Sequence, residues 1–558
     1  MKDSNIFKSR LPSIEIPHQD LPTFWFSQMR QINLFMHSSP RPVFIDGIRN
    51  SHERLYLKQM QTMCLQLASG MFHDMGVRAG DMVGIVLPNT IYYLVCTLAV
   101  QMLGATCTPA NPAYTADELR FQISHSGAKF VIAAPTALST IKQAVAGILP
   151  YPQNVLYVPT ANHTDTLLNH EQPCPRSIFT LLCDKPFSRF QPQDLKQLQR
   201  TPAFVCYSSG TTGLPKGAML SHYNVVANIL QGVSVQKQMT ASNRTTLAVL
   251  PLFHSFGLVL MAHSLPLCGS SLVIMRSFDM SEFLYNIEAH RVTDTLLVPP
   301  VINALAKLNS SEWDISSLKW VISGASPLSS STIKSLELKY PHICVMQGYG
   351  LTETSPGLSL NVPGRRNQLS SGELLPNLEC KVVDDKNNVL SIGSTGELCF
   401  RGPNIMMGYI NEYDATKHII MDGFLHTGDV GRIDPTGHVF VTDRKKELIK
   451  FNGFQVAPAE IEGILLQHPL VRDCAVVGTF CSKRQTELPR VFLVLNQDEK
   501  LHDKNSVAEQ VVEWINSKVA YYKRLRGGFV VVDEIPKNAS GKVLRRVLKE
   551  STVSSNVS

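Results

Sequence analysis

A Gly-, Ser- and Thr-rich segment with one lysine carries the residue types best suited to chemistry. It reads Tyr207-Ser-Ser-Gly-Thr-Thr-Gly-Leu-Pro-Lys216-Gly217 and follows a short apolar run that predicts a buried strand. A strand that leads into such a loop can present backbone N–H groups and hydroxyls to phosphate oxygens. Glycines there let the backbone approach a ligand closely. The residues predicted to bind a phosphate are Ser208, Ser209, Gly210, Thr211, Thr212, Gly213 and Lys216.

The loop does not have the spacing of a Walker A motif, because Lys216 is followed by Gly217 rather than by Ser or Thr. An ordinary Gly/Ser surface turn is the alternative interpretation of the same residues. The loop alone therefore does not decide between a nucleotide site and a turn, and other motifs have to be considered.

Four further motifs lie downstream of this loop. They are Gly348-Tyr-Gly-Leu-Thr352-Glu353-Thr, Thr427-Gly-Asp429, Asp443-Arg444 and Pro536-Lys-Asn-Ala-Ser-Gly541-Lys542. Their order and approximate separations resemble those of the adenylate-forming superfamily, and the resemblance covers essentially the whole chain. The segment Gly396-Glu-Leu-Cys-Phe-Arg-Gly402 resembles the second signature box of its 4-coumarate:CoA ligase and luciferase branch, with only apolar exchanges.

Length and composition indicate a large globular protein. A chain of 558 residues is too long for one core and predicts two to four structural units. With 44% hydrophobic and 17% charged residues, extensive burial is expected. The net charge of +7 comes from dispersed basic residues, so no nucleic-acid partner is predicted.

Cysteine usage and the chain ends favour a cytoplasmic location. The twelve cysteines form no C-x-x-C pair and no Cys/His cluster, which predicts free thiols and neither a zinc site nor a disulfide framework. No hydrophobic region follows the N-terminus, and the last residues, Ser-Asn-Val-Ser558, are not the peroxisomal tripeptide Ser-Lys-Leu. The most apolar segment, Ile91 to Cys107, is interrupted by Gln101 and Gly104 and predicts a buried helix rather than a membrane span.

The pattern of apolar runs predicts the fold. Between about residues 80 and 350, near-continuous apolar strands alternate with segments of helical length, which is typical of parallel sheets covered on both faces. Between about residues 380 and 442 the strands are shorter and separated by Asp- and Gly-rich turns, which predicts an antiparallel β unit. The expected fold is therefore α/β, with two parallel-type sheets and a small antiparallel unit in a large N-terminal domain.

We predict an N-terminal AMP-binding domain over residues 1–442, a hinge over residues 443–447, and a smaller, mobile α+β domain over residues 448–558. The hinge is the charged stretch Asp443-Arg-Lys-Lys446-Glu447, which could also be a plain solvated turn. The resemblance implies that Lys446 stands at the pivot about which the small domain rotates.

The resemblance implies a reaction in two steps at one site. A small-molecule carboxylic acid attacks the ATP α-phosphate to give an acyl-adenylate and pyrophosphate, and the thiol of coenzyme A then displaces AMP. The first step brings an anion to a polyanion, so Mg²⁺, a fixed cation and hydrogen-bond donors are required. ATP, Mg²⁺ and coenzyme A are the expected cofactors, and the oligomeric state is not predicted.

For adenylation, the resemblance implies that Lys542 contacts both the carboxylate and the α-phosphate. Its Gly-containing loop suits a mobile catalytic group, although a solvated lysine is the alternative. Thr352 is expected to contact the α-phosphate. Glu353 is expected to ligate Mg²⁺ together with Thr211, because Mg²⁺ prefers oxygen ligands and substrate phosphates.

The nucleotide itself is expected to contact a further set of residues. Tyr349 would pack on the adenine, where Gly348 allows a close approach, while Asp429 and Arg444 would contact the ribose. From local sequence alone, Tyr349 and Asp429 could equally be turn residues. The same resemblance assigns Gly324, Ala325, Ser326 and Gln347 to the nucleotide site.

For the second step, rotation at the hinge is expected to withdraw Lys542 and to bring another segment to the site. That segment, Lys450-Phe-Asn-Gly453-Phe-Gln455, contributes Lys450 and Gln455 as assisting residues and Gly453 as a coenzyme A contact. Asn452 occupies a position where many relatives carry a lysine near coenzyme A, which weakens that electrostatic contact.

The acyl pocket is expected to be apolar. His254 resembles the histidine that gates the family's pocket or orients the carboxylate, although a lone histidine is more often a packed core residue. Phe256 replaces the tyrosine that 4-coumarate ligases place after this histidine. With the apolar run Leu258–Leu260 and the segments Val301–Asn303 and Ser323–Ala325 as walls, aliphatic or plain aryl acids are favoured.

Two alternatives remain open from the sequence. One is adenylation with another acceptor, such as a carrier protein or, as in luciferases, oxygen. The other is a non-catalytic nucleotide-binding protein, against which the presence of Lys542, Glu353 and Asp429 counts.

Overall fold

The computed structural model describes residues 5–36, 40–159, 174–208, 214–239, 244–308, 312–452, 454–481, 484, 486–496, 503–538 and 541–554. The strands of the first 221 residues are β1 (Phe7–Lys8), β2 (Pro42–Asp46), β3 (Arg54–Tyr56), β4 (Met82–Val86), β5 (Thr106–Pro109), β6 (Phe130–Ala133), β7 (Val155–Tyr157), β8 (Arg176–Ser177), β9 (Pro202–Ser208) and β10 (Lys216–Ser221). The next strands are β11 (Thr245–Ala248), β12 (Ser271–Ile274), β13 (Asp294–Leu297), β14 (Trp320–Ser323), β15 (Cys344–Gly350), β16 (Gly357–Leu360) and β17 (Glu373–Leu374). The remaining strands are β18 (Glu379–Val383), β19 (Gly396–Arg401), β20 (Gly408–Tyr409), β21 (Ile420–Met421), β22 (Phe424–Ile433), β23 (Val439–Arg444), β24 (Ile449–Phe451), β25 (Phe454–Val456), β26 (Val471–Cys481), β27 (Thr486–Leu495) and β28 (Phe529–Val531).

Helices connect and cover these strands. The α-helices are α1 (Leu21–Met36), α2 (Leu57–Gly70), α3 (Tyr93–Met102), α4 (Ala116–Ser126), α5 (Leu138–Val145), α6 (Leu195–Arg200), α7 (His222–Gln236), α8 (Met280–His290), α9 (Pro299–Lys307), α10 (Ser330–Lys339), α11 (Tyr413–Ile419), α12 (Pro458–Leu465), α13 (Lys504–Lys518) and α14 (Arg545–Ser554). Short 3₁₀ turns occur at Pro135–Ala137, Ile178–Leu181, Pro266–Cys268, Thr352–Thr354 and Tyr521–Lys523, and π-helical turns at Met71–Met75 and Phe256–His263.

The large N-terminal region contains two mainly parallel sheets. Among the described residues, an eight-stranded sheet has the order β20-β10-β9-β5-β4-β6-β7-β8, with β10 antiparallel to both of its neighbours. A nine-stranded sheet has the order β17-β16-β15-β14-β13-β11-β12-β2-β3, and its strands from β15 to β2 are parallel. The parallel sheets predicted from the apolar runs are therefore confirmed.

An antiparallel sheet follows, as the closer spacing of strands and turns predicted. It pairs β1, β18, β19, β22 and β21 in that order, with β23 also bonded to β22. The C-terminal part contains the hairpin β24–β25 and a three-stranded sheet, β26-β27-β28, which is covered by helices. This mixed architecture, with a large α/β part and a smaller α+β part, confirms the predicted fold class.

Burial explains why the parallel strands are apolar along their whole length. Neighbouring residues Val321 and Ile322 of β14 belong to different buried clusters, one on each face of the sheet. The larger cluster also contains Phe204 of β9 and Phe400 of β19, so it joins all three N-terminal sheets. A separate cluster consists only of residues between Ile449 and Leu525. The boundary at residues 443–447 itself stays a prediction.

Side-chain caps fix the start of the helix that follows the β9–β10 hairpin. The Ser221 hydroxyl accepts from the Asn224 backbone N–H at 3.1 Å, and the Asn224 side chain accepts from the Ser221 N–H at 3.0 Å. This reciprocal capping box starts α7 directly at the end of β10.

None of the twelve cysteines, all of which lie in the described residues, forms a disulfide bond. Across the described ranges, every helix is too short or too polar to cross a membrane.

Candidate active site

One cavity of about 740 Å³ receives residues from both parallel sheets, the antiparallel sheet and the C-terminal part. It collects most of the residues that the sequence motifs singled out. Those that line it are Ser208, Lys216, His254, Gly324, Ala325, Gly348, Tyr349, Thr352, Glu353, Arg444 and Lys542.

Other predicted residues are not part of the cavity lining. These are Ser326, Gln347, Asp429, Lys450 and Gln455, of which Asp429 contacts the lining residues Tyr349 and Arg444. The Gln347 amide donates to the carbonyl of Gln368 at 2.9 Å, which holds it against the backbone. The predictions for Ser209, Gly210, Thr211, Thr212, Gly213 and Gly453 fall outside the described residues.

The β9–β10 hairpin brings Ser208 and Lys216 together. They are cross-strand partners in the β9–β10 pair, so the seven residues between them connect two hydrogen-bonded strands. The Ser208 hydroxyl donates to Glu353 Oε1 at 3.1 Å. Ser208, the first residue of the predicted phosphate-binding set, is thus in direct contact with the predicted metal ligand.

Tyr409 is a site residue that sequence reasoning missed. Its hydroxyl donates to the same Glu353 oxygen at 2.7 Å, and Lys216 Nζ lies 5.4 Å from its ring centroid. Burial raises the pKa of Tyr409, and the nearby Glu353 carboxylate adds to the shift, so this hydroxyl remains a donor. Its signal was weak because Gly408-Tyr409 is a two-residue strand whose pairing with β10 is visible only in the fold.

Three polar side chains, those of Tyr349, Asp429 and Arg444, form a connected chain at the cavity. The Tyr349 hydroxyl donates to Asp429 Oδ2 at 2.7 Å, and Arg444 Nε lies 3.2 Å from Asp429 Oδ1. Asp429 and Arg444 are direct partners in the β22–β23 pair, so their contact follows from strand register. Burial raises the pKa of Asp429, while the Arg444 charge and the Tyr349 hydrogen bond oppose that shift.

Lys542 enters the same cavity from a C-terminal loop. The loop is closed by two hydrogen bonds of 2.9 Å: the Lys542 N–H donates to Asn538 Oδ1, and the Asn538 N–H donates to the Lys542 carbonyl. Gly541 has a φ of +78°, a conformation that favours glycine. Burial lowers the pKa of Lys542, and the Arg444 charge lowers it further.

An ion-pair network supports the lysine from behind. Lys542 Nζ lies 3.9 Å from Glu447 Oε1, and Arg545 Nε donates to Glu447 Oε2 at 2.9 Å. Arg545 also binds both carboxylate oxygens of Glu462 on α12, at 2.5 and 3.1 Å. The predicted hinge residue Glu447 is therefore fixed to the same structure that carries Lys542.

The hairpin predicted to serve the second step lies outside the cavity. Lys450 and Gln455 are cross-strand partners in β24–β25, and both are exposed. Asn452 at the turn has a φ of +45°, a left-handed conformation that asparagine tolerates.

The far end of the cavity is lined mainly by apolar side chains, including Phe256, Leu260, Leu296 and Ile322. The Phe256 ring lies against Gly324, where an added Cβ would come within 2.8 Å of the ring. The predicted wall Val301–Asn303 does not line this cavity, because Ile302 of α9 packs in the second apolar cluster. That part of the pocket prediction is wrong, and so is the placement of Leu258 and Val259, which are buried in the main apolar cluster and do not line the cavity.

His254 lies between the polar and apolar ends. Burial lowers the pKa of His254 to about 4, so the imidazole is neutral at pH 7. Its Nδ1 accepts from the Phe256 N–H at 3.4 Å, which leaves Nε2 as the protonated nitrogen.

Within the described ranges, no group of three or more His, Cys, Asp or Glu side chains could hold a metal ion by itself. A single cavity-lining carboxylate such as Glu353 nevertheless suits Mg²⁺, which usually takes one or two carboxylates together with substrate phosphates and water.

The architecture and the cavity match a known family. The model of the AMP-binding enzyme family matches residues 36–410, and that of the AMP-binding enzyme C-terminal domain matches residues 460–542. The chain therefore belongs to the adenylate-forming, AMP-binding enzyme family, which confirms the resemblance found in the sequence.

Relatives that match over nearly the whole chain indicate the branch of the family to which the chain belongs. The chain is 33% identical to a probable 4-coumarate–CoA ligase 1 of Dictyostelium discoideum, over 99% of this chain and 98% of the relative. It is 35% identical to 4-coumarate–CoA ligase 3 of Arabidopsis thaliana, over 98% and 93% of the two chains. A crystal structure of ATP-bound MatB from Rhodopseudomonas palustris superposes with a TM-score of 0.79 at 25% identity, over 94% of this chain and 98% of that one. The branch is thus that of the acyl-CoA and 4-coumarate–CoA ligases.

Proposed function

We propose that the protein is an ATP-dependent acid–CoA ligase that joins a hydrophobic carboxylic acid to coenzyme A through an acyl-adenylate. The observation that carries this proposal is the shared cavity. Lys542, Glu353 and Arg444 line its polar end, and Phe256 and Leu260 line its apolar end. The ligase names of the relatives and the ATP bound to the MatB structure support the same chemistry.

In the adenylation step, Lys542 holds the substrate carboxylate and the α-phosphate together as a point charge. Burial and the Arg444 charge lower the pKa of Lys542, whereas the Glu447 carboxylate raises that pKa and so favours the charged form. Thr352 and the phosphate loop donate hydrogen bonds to phosphate oxygens. These donors replace the water molecules that would otherwise solvate the phosphates, and they hold the phosphates in one orientation.

Glu353 is the described carboxylate that would hold Mg²⁺. Its Oε1 already accepts two hydroxyl hydrogen bonds, from Ser208 and Tyr409, which fix the orientation of the carboxylate. A Mg²⁺ ion held there would offset negative charge on the phosphates.

Tyr349, Asp429 and Arg444 bind the nucleoside. Asp429 accepts from the ribose hydroxyls, and its existing contacts with Tyr349 and Arg444 fix its orientation. Neutral His254 donates a hydrogen bond from Nε2 to the carboxylate of the substrate acid. This hydrogen bond stabilises the carboxylate charge without a second cation beside Lys542.

In the thioester-forming step, residues 448–558 rotate about the hinge at residues 443–447. The exposed pair Lys450 and Gln455 then replaces Lys542 at the cavity, and coenzyme A enters beside it. The position of this pair outside the cavity, while Lys542 lies inside, supports the proposed rotation, since adenylation requires Lys542 at the site first.

The test is pyrophosphate release from ATP across a panel of carboxylic acids, with and without coenzyme A. Lys542→Ala is the variant, and Arg546→Ala, an exposed residue four positions along, is the matched control. We expect acid-dependent release that becomes catalytic with coenzyme A, abolished in Lys542→Ala and unchanged in Arg546→Ala. ATP binding by Lys542→Ala, measured by calorimetry, should be largely retained.

Release that coenzyme A does not accelerate would indicate another acceptor. Full adenylation by Lys542→Ala would refute the role of this lysine, and release with none of the acids would refute the ligase assignment.

A further inference from the structure

Gln236, the last residue of α7, places an amide at the apolar end of the cavity. The residue is 2% exposed and lines the cavity. Its Oε1 is fully buried and accepts no hydrogen bond from any described residue. Buried amide oxygens are nearly always hydrogen-bonded, so this one points to a partner that comes with the ligand.

Because Gly232 has no side chain, the Gln236 amide can be reached from the cavity. It lies one helical turn before Gln236 and on the same face of α7. A Cβ at position 232 would lie 3.1 Å from Leu260 Cδ2 and 3.8 Å from Gln236 Oε1. Glycine inside a helix is destabilising relative to alanine, so the open space is retained at a cost in stability.

Buried charges hold this end of α7 in position. Arg244 Nη1 donates to the Gln236 carbonyl at 3.1 Å. The same guanidinium binds Asp294 through two hydrogen bonds, of 2.7 and 3.1 Å, and both side chains are almost fully buried. The backbone from which the Gln236 amide projects is thereby fixed to β13.

Two further hydroxyls on the cavity wall also lack a hydrogen-bond partner among the described residues. Ser255 Oγ and Ser323 Oγ are buried, line the cavity and have no hydrogen-bond partner among the described residues. The charged residues of the lining are Lys216, Glu353, Glu397, Arg444, Lys445, Lys446 and Lys542, which come from the loops and strands of the polar end. The end at Gln236 therefore offers hydrogen bonds without a counter-charge.

We propose that Gln236 is a specificity-determining residue that accepts a hydrogen bond from a neutral donor, a hydroxyl or amino group, at the far end of the substrate acid. This assignment rests on the proposed ligase function and changes the substrate class expected from Phe256 alone. A charged group at the same position would be buried without a partner and is rejected. An acid with a methyl or hydrogen there leaves the Gln236 amide unpaired and is the poorer substrate.

The test compares kcat/KM for acids that differ only in this group. The probes are 4-hydroxycinnamate against cinnamate, and 10-hydroxydecanoate against decanoate. For the wild type we expect the hydroxylated member of at least one pair to be preferred by about tenfold or more. In Gln236→Met, which keeps the length and removes the amide, that preference should fall to about one, through loss on the hydroxylated acid.

Gln238→Met, at an exposed glutamine two residues along, is the matched control and should keep the wild-type preference. Gln236→Asn draws the amide back by one methylene and should shift the preference towards a longer hydroxylated acid, which a merely structural role would not do. Should Gln236→Met fold poorly, Gly232→Ala tests access instead, since its methyl group fills the space before the amide.

An unchanged preference in Gln236→Met and in Gln236→Asn would overturn the assignment while leaving the ligase function intact. Equal use of both members of each pair by the wild type would overturn it as well. Absence of pyrophosphate release with every acid would instead refute the ligase function, and the assignment with it.

Discussion

The hydroxyl of Tyr349 donates a 2.7 Å hydrogen bond to Asp429, so the residue expected beside the adenine and the residue expected at the ribose contact each other directly. This bond supplies Asp429 with a donor that a bound ribose could supply in its place. Replacing Tyr349 by Phe should therefore lower the free energy of unfolding of the nucleotide-free protein by about 1–3 kcal/mol, because a buried carboxylate loses a partner.

Saturating ATP should recover part of that loss, so the rise in Tm on adding ATP should be larger in Tyr349→Phe than in the wild type. Tyr413→Phe, at a residue 78% exposed, is the control and should leave both values unchanged. An equal ATP-induced shift in Tyr349→Phe and the wild type would contradict a ribose contact at Asp429.

The lowered pKa of Lys542 predicts an alkaline limit to adenylation. Burial and the Arg444 charge favour the neutral amine, so the required cation is lost at a lower pH than for an ordinary lysine. The kcat/KM for ATP reports the free enzyme and should decline on the alkaline side below pH 10.5, the ordinary value for lysine. In Lys542→Arg the rate should be lower, but the alkaline decline should move upward, because a guanidinium stays protonated. An identical alkaline limb in both enzymes would assign it to another group.

Glu353→Gln should weaken the magnesium dependence of pyrophosphate release. The amide keeps an oxygen that can accept from Ser208 and Tyr409 but has no charge for a cation. We expect the half-saturating Mg²⁺ concentration to rise about tenfold or more, which corresponds to at least about 1.4 kcal/mol of lost binding. Tyr409→Phe removes a hydrogen bond without removing charge and should change it much less. An unaltered Mg²⁺ titration in Glu353→Gln would remove this residue from the metal site.

Three histidines predict that the protein loses stability in mild acid. Burial lowers the pKa of His222, His254 and His263 from 6.5 to about 4. Between those values the unfolded chain binds more protons than the folded one, so the free energy of unfolding falls as the pH falls from 6.5 to 4. The slope approaches three protons, or about 4 kcal/mol per pH unit at its limit.

The measurement is the urea midpoint at pH 7, 6 and 5. His254→Gln should reduce the pH dependence by about a third, whereas a substitution at exposed His52 should not alter it. A midpoint independent of pH over this range would show that these imidazoles are accessible to protons in the folded state.

The sequence predicted those site residues that belong to a motif recognisable from local sequence and from its order along the chain. The β9–β10 hairpin, the turn at Gly428 before Asp429 and the glycine loop before Lys542 each have a local signature, and all three lie at or beside one cavity. The apolar runs predicted both parallel sheets, because strands buried on both faces cannot alternate with polar residues.

Residues that act through tertiary contacts were not predictable in this way. Tyr409 contacts Glu353 only because β20 pairs with β10, and Gln236 reaches the cavity only because Gly232 lacks a side chain. The segment Val301–Asn303 was misplaced for the same kind of reason. The Asn303 side chain accepts from the Thr332 hydroxyl at 2.8 Å, a contact between α9 and α10 that no sequence pattern shows.

The cavity that joins the three N-terminal sheets to the loop of Lys542 has two ends, and their residues come from distant parts of the chain. Residues such as Gly232, Gln236 and Leu260, at the end of the cavity away from the phosphates, lie more than 280 positions before Lys542 in the chain. None of these three residues takes part in the ion pairs of Glu447 and Arg545 that support the lysine. Substitutions at this end of the cavity could therefore change which acid the proposed ligase accepts and leave those ion pairs in place.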